Sequence, residues 1–138
     1  MATVLAITKT MRPSMLEFMD RVSINAVEDV TKMGLDRSAA AMLVVQSDEP
    51  AGHAGVEIAE VEALCAMHKA TECFFTEDPD EGEAFVTARR IAIPSVEKLG
   101  TVLMEDVGVP LPRLGDLVVG IEKIAQNRDV IIAVIAHA

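Results

Sequence analysis

Apolar residues along this chain fall into two alternating patterns, and that alternation limits the fold more than any other feature. Stretches with a period near 3.6 are separated by short continuous runs, the arrangement expected of amphipathic helices alternating with buried strands. Met19, Val22, Ala26, Val27, Val30 and Met33 mark one helical face and Gly34 follows them. This predicts a helix from about Asp20 to Met33, closed by a glycine just past its end. Ala40 to Ser47 reads as a strand and Asp48-Glu49-Pro50-Ala51-Gly52 as a loop. Ile58, Val61, Cys65 and His68 line a second helix, and Glu72 to Thr76 a second strand.

Asp80-Glu81-Gly82-Glu83 has the form of a capping box and opens a helix whose Ala84, Phe85, Ala88, Ile91 and Ala92 share a face. That helix is expected to end before Pro94 or to bend there. Thr101 to Val107 reads as a third strand. Pro110-Leu111-Pro112 then starts a helix with Leu114, Leu117, Val118, Ile121, Ile124 and Ala125 on one face, closed at Asn127, before a last strand over Val130 to Ala138. Alternation alone suits a parallel α/β sheet, and the same order suits α+β folds built from split β-α-β units.

Composition narrows the function. With 12 Lys+Arg against 22 Asp+Glu the formal charge is −10, and there is no Trp, no Tyr and only 4 Phe. Such a surface repels a phosphate backbone and offers almost nothing for bases to stack on, so nucleic acid is not an expected partner. The longest apolar runs, Ala39 to Val45 and Val130 to Ala136, have seven residues each, against about 18 for a membrane span. Met1-Ala2-Thr3-Val4-Leu5 lacks the basic stretch of a secretory signal, and the expected location is cytoplasmic. At 138 residues, the chain is long enough for one self-supporting core. Its close on an apolar run with no polar tail leads us to expect a piece of a longer protein.

Few side chains stand out as chemistry. Cys65 and Cys73 lack metal-ligand spacing and are expected to be buried, reduced thiols. The acidic run from Glu77 to Glu83 reads as a solvated helix start, since EF-hand spacing is absent. His68 is expected to be packed and hydrogen-bonded, and His53 sits in a loop without context. Arg89 is more informative. Four residues on from Phe85, it lies within roughly 40° of the centre of its helix's apolar face, while Arg90 lies roughly 140° away. A guanidinium at a core edge suits a carboxylate, from either a protein side chain or a small acid substrate, or else snorkels to water along its aliphatic stem. His137 closes the terminal apolar run, where a strand end presents ligands or simply frays.

Three blocks carry a family resemblance: Arg12-Pro13-Ser14-Met15-Leu16-Glu17-Phe18-Met19-Asp20, Ala88-Arg89-Arg90-Ile91-Ala92-Ile93-Pro94, and Glu105-Asp106-Val107-Gly108-Val109-Pro110 with Ile135-Ala136-His137-Ala138. In this order they resemble the C-terminal cap domain of FAD-linked oxidases, the family of the glycolate oxidase flavin subunit and the D-lactate and D-2-hydroxyglutarate dehydrogenases. The resemblance covers nearly all of residues 1–138. It implies an α+β fold of ferredoxin-like cap type, a mainly antiparallel sheet covered by helices, with an N-terminal flavin domain and a C-terminal remainder outside the segment. It also implies FAD in the full-length protein, a small 2-hydroxy acid as substrate, and a segment that shapes the substrate site but is inactive alone.

Residue by residue, the resemblance makes Arg89 the clamp for the substrate carboxylate. His137 becomes the first histidine of a His-Ala-Gly-Asp-Gly-Asn motif and a ligand for a divalent metal such as zinc, the partner ligands lying further on. Where the 2-hydroxyglutarate enzymes have a threonine and a lysine for a second carboxylate, this chain has Ile93 and Met104. That difference points to a short monocarboxylate such as glycolate or lactate. A cap separated from its flavin domain would leave an apolar interface open to self-association. The competing reading is a free-standing α+β small-molecule-binding or regulatory domain, which would share the size, acidity and alternation of elements.

Overall fold

Six residues, Met15-Leu16-Glu17-Phe18-Met19-Asp20, form strand β1 (Met15–Asp20) at the centre of the molecule. A computed structural model describes residues 1–50 and 52–137. The element order is α1 (Ala2–Thr10), β1, α2 (Arg21–Thr31), β2 (Ala41–Gln46), α3 (His53–Met67), α4 (Pro79–Arg90), α5 (Ala92–Glu97), α6 (Leu114–Arg128) and β3 (Ile135–His137). The sheet order is β2-β1-β3, with both neighbours antiparallel to β1. The α+β class with an antiparallel sheet, implied by the family resemblance, is the one adopted, and not the parallel α/β sheet that alternation alone suits.

Side chains of a strand alternate between the two faces of the sheet, and β1 has a core on each. On one face Leu16 packs with Val4 and Ile7 of α1, Val61 of α3 and Leu114 of α6. On the other, Met19 packs with Ile24 and Val27 of α2, Ala88 of α4 and Ala92 of α5. Helices therefore cover both faces. Among the described residues, no helix is long and apolar enough to cross a membrane.

The join between β1 and α2 is tightly specified. Asp20 caps α2 by accepting from the Ser23 backbone N–H at 2.9 Å. The Asp20 N–H donates to the Val134 carbonyl at 3.0 Å, and the Ser23 hydroxyl donates to the same carbonyl at 3.3 Å. These bonds bring the approach to β3 alongside β1. Burial pushes the Asp20 carboxyl above its usual value of 3.8, against the hydrogen bonds from Ser23 that pull it down.

Several expectations need correction. The helix predicted from Asp20 to Met33 ends earlier, with Lys32 in the left-handed region (φ 55°) as its cap. Gly34 (φ 84°) belongs to the following loop, where the buried Glu28 carboxylate accepts from the N–H groups of Gly34 and Leu35. Met19, placed by periodicity on that helix, lies in β1, a strand that a 3.6 period hides. The segments Glu72 to Thr76 and Thr101 to Val107 are not strands but irregular chain, for want of a paired neighbour. Of the terminal strand read from Val130 onward, only Ile135–His137 is a strand among the described residues.

Helix starts and stops also move. The cap of α4 is Asp78, which accepts from the N–H groups of Asp80 and Glu81, with Pro79 in the first turn, so the predicted box at Asp80 starts too late. The helix ends before Pro94, one of the two outcomes expected: α4 stops at Arg90 and Pro94 sits in the first turn of α5, where its missing N–H costs little. A 3-10 turn at Leu111–Arg113 precedes α6, which runs past Asn127 to Arg128 and is capped by left-handed Asp129. Ala51 of the predicted loop and Ala138 of the terminal block lie outside the described residues.

Candidate functional site

Alternation along β1 puts Glu17 on the same face as Met19, toward α4, and the register pairs Glu17 directly with His137 of β3. Arg89 follows the fully buried Ala88 near the end of α4. Three elements far apart in sequence thus deliver a carboxylate, a guanidinium and an imidazole to one place. The Glu17 and Arg89 side chains are 11% and 15% exposed, whereas His137 is 77% exposed, so the group opens outward through the imidazole. Arg90 turns to solvent and pairs with Glu83.

The contacts close a ring. Arg89 Nε donates to Glu17 Oε2 at 2.8 Å. His137 Nδ1 lies 2.6 Å from Glu17 Oε1, and Arg89 Nη2 lies 3.3 Å from His137 Nε2. Between carboxylate and substrate, the alternatives left open for Arg89, the chain itself supplies the first partner. Removing one member of so secluded a pair leaves the other charge without a counter-ion, at a cost of about 3–5 kcal/mol. One edge of the guanidinium carries the Nε and Nη2 hydrogens that face Glu17 and His137. The opposite fork, formed by Nη1 and the second Nη2 hydrogen, is free of these two contacts, and it is the shape that accepts a carboxylate end-on.

Beside His137, between the 105–109 segment, α6 and β3, runs a groove of about 440 Å³ that Glu105, Asp106, Val109, Leu114 and Ile121 help to line. The two separated parts of the third block that carried the family resemblance therefore meet in space. A metal finds less here. Among the described residues no group of three or more His, Cys, Asp or Glu side chains gathers as a metal site. His137 supplies one imidazole, anchored by a carboxylate as metal-bound imidazoles are, but its other nitrogen faces a guanidinium.

The remaining candidates are not in this cluster. His68 is exposed at the end of α3, not packed, because the helix turns its last residues into solvent. His53 is exposed at the start of α3. The two cysteines are free, yet Cys73 is exposed and Cys65 half-buried, which corrects the expectation of two buried thiols. Burial and, next, the neighbouring Cys73 thiol push Cys65 up to about 11. Ile93 lies in the first turn of α5, and Met104 lies on exposed irregular chain. The residue that sequence reading missed is Glu17. Its signal was present as a lone carboxylate among Leu16, Phe18 and Met19, which a half-buried strand tolerates only with a partner.

Residues 1–138 match the family described as FAD linked oxidases, C-terminal domain. The chain belongs to this family. It is 32% identical over 127 residues to the glycolate oxidase subunit GlcD of Bacillus subtilis, and 28% identical to the subunit of the same name from Escherichia coli strain K12. Each alignment covers 91% of this chain but only 27% and 26%, respectively, of the relative, so the chain spans about a quarter of the curated proteins it matches. No solved structure matches significantly. Membership of a FAD-linked oxidase family accounts for the ordered blocks around β1, α4 and β3.

Proposed function

We propose that this chain is the substrate-shaping cap of a FAD-dependent oxidoreductase that converts a short 2-hydroxy acid, glycolate or D-lactate, to the 2-keto acid. The observation that carries the proposal is the convergence of Arg89 and His137 on Glu17, from positions 72 and 120 residues away in sequence. Arg89 binds the substrate carboxylate through its free fork. Glu17 holds the guanidinium so that little rotamer freedom is lost on binding. Ile93 and Met104 offer no second cation or hydroxyl, which suits a monocarboxylate.

FAD in this reading sits on an N-terminal domain, and when bound it supplies the acceptor for the substrate hydride. This chain has no glycine-rich dinucleotide loop to hold it. A divalent metal such as zinc is part of the same proposal, with His137 as one ligand; it would polarise the substrate oxygens, and its remaining ligands would come from outside the described residues. Exposed Phe74, Phe75, Leu103 and Met104 support an apolar face for the flavin domain, and for self-association without it. Free cysteines agree with a cytoplasmic setting.

Kinetics of the full-length protein test the proposal. It should carry stoichiometric FAD and turn over glycolate or D-lactate, with Arg89→Ala lowering kcat/KM by the equivalent of about 3 kcal/mol. The isolated chain should be colourless and inactive. A full-length protein without flavin, or an Arg89→Ala enzyme with unchanged kcat/KM, overturns the assignment.

A further inference from the structure

The ring of contacts around Glu17 has only one proton arrangement that satisfies it. A guanidinium donates and never accepts, so His137 Nε2, 3.3 Å from Arg89 Nη2, carries no proton. An ionised carboxylate accepts and never donates, so His137 Nδ1, 2.6 Å from Glu17 Oε1, carries one. The same carboxylate takes the Arg89 Nε hydrogen on its other oxygen, at 2.8 Å. Which nitrogen of a histidine is protonated follows from the bond that the other nitrogen makes, and here both bonds trace to Glu17 and its partner.

We infer that Glu17 is the positioning residue of this site. Its two oxygens together select the Nδ1–H tautomer of His137 and turn the free fork of Arg89 toward a ligand carboxylate. Nε2 is thereby left with its lone pair, next to the guanidinium that would hold the acid. Glu17 touches no ligand in this scheme; it acts through two residues that do. The position on β1 explains why a carboxylate can do this. Neighbouring Met19 and the pairing with β3 hold the strand rigidly, and a buried side chain in contact with two partners has few rotamers left. The ligand chemistry rests on the proposed function, whereas the tautomer and the Nε contact do not.

Nitrogen-15 NMR of the 138-residue chain in mildly alkaline buffer reads the arrangement directly. His137 is assigned by its absence in His137→Gln. In the wild type it should be a single Nδ1–H tautomer, and the Arg89 Nε–H should be protected from exchange. Glu17→Gln presents one acceptor and one donor in place of two acceptors, so either the His137 tautomer shifts toward Nε2–H or Arg89 Nε–H loses its protection. Wild-type His137 in the Nε2–H form overturns the inference, as does a folded Glu17→Gln chain with both signals unchanged. If Glu17→Gln does not fold, the wild-type spectrum alone decides. D-lactate added to the wild type should shift the Arg89 Nη signals. Absence of that shift beside an intact Nδ1–H signal would count against the carboxylate clamp while upholding Glu17's positioning role.

Discussion

Strand β1 and the segment Thr101 to Val107 are both short apolar stretches interrupted by acidic residues, yet they meet opposite fates. β1 is paired along both edges and covered on both faces, and its four central residues are buried. The 101–107 segment is irregular, and Leu103 is 85% exposed. Glu72 to Thr76 is intermediate: it forms no strand, but Phe74 rests against Phe85 of α4 with ring centroids 5.4 Å apart. The contrast teaches that strand-like composition is worth little until neighbours take up the backbone N–H and C=O groups. β1 has β2 and β3, brought there by α2 and by the bonds from Asp20 and Ser23 to Val134.

The largest effect should come from breaking the covered member of the comparison. Met19 is fully buried, and Met19→Ala should cost about 2–5 kcal/mol in urea unfolding. A loss below about 1 kcal/mol would mean that the core on this face is looser than its packing implies.

Asp20→Asn tests the end of the same strand with a smaller effect. Asparagine caps a helix as well as aspartate does, while the half-buried charge is removed. Because the Asp20 carboxyl is raised above 3.8, the folded chain binds more protons than the unfolded one just above that value. Wild-type stability therefore falls as pH rises through this window and levels off above it. The variant should match or exceed the wild type at pH 7, and its advantage should vanish as the pH falls toward 3.8 in parallel thermal melts.

On the uncovered side, Leu103→Ser should change stability by no more than about 0.5 kcal/mol. A larger loss would show that this segment is packed after all. The intermediate segment should reveal itself chemically. Iodoacetamide at neutral pH should modify exposed Cys73 well before half-buried Cys65, whose thiol is held near 11; equal rates by mass spectrometry would contradict that environment.

Much of the helical architecture was legible in the sequence, because a helix satisfies its own backbone and announces itself by local periodicity. Most of the faces of α4 and α6 could be read this way, as could the placement of Arg89 at the edge of the core. On α2, by contrast, only Ala26 and Val27 of the expected face are buried, Val30 is exposed, and the fully buried Ile24 lies off that face. Strands were harder. Ala41–Gln46 was legible as an apolar run, but β1 was concealed by its neighbour's helical period, and two apparent strands had no partners. In the site, Arg89 and His137 were visible as candidates, and Glu17 was not singled out although it stood within one of the family blocks.

By itself, the sequence determined the family, most of the helices, the acidic composition and the place of Arg89 at the edge of the core. Those are properties of composition and local spacing. Only the tertiary structure decided that Glu17 is the carboxylate Arg89 meets, that it pairs across the sheet with His137, and that one proton arrangement satisfies all three. Such contacts join residues 48 to 120 positions apart, and no local pattern encodes a register between strands that the rest of the fold must first bring together.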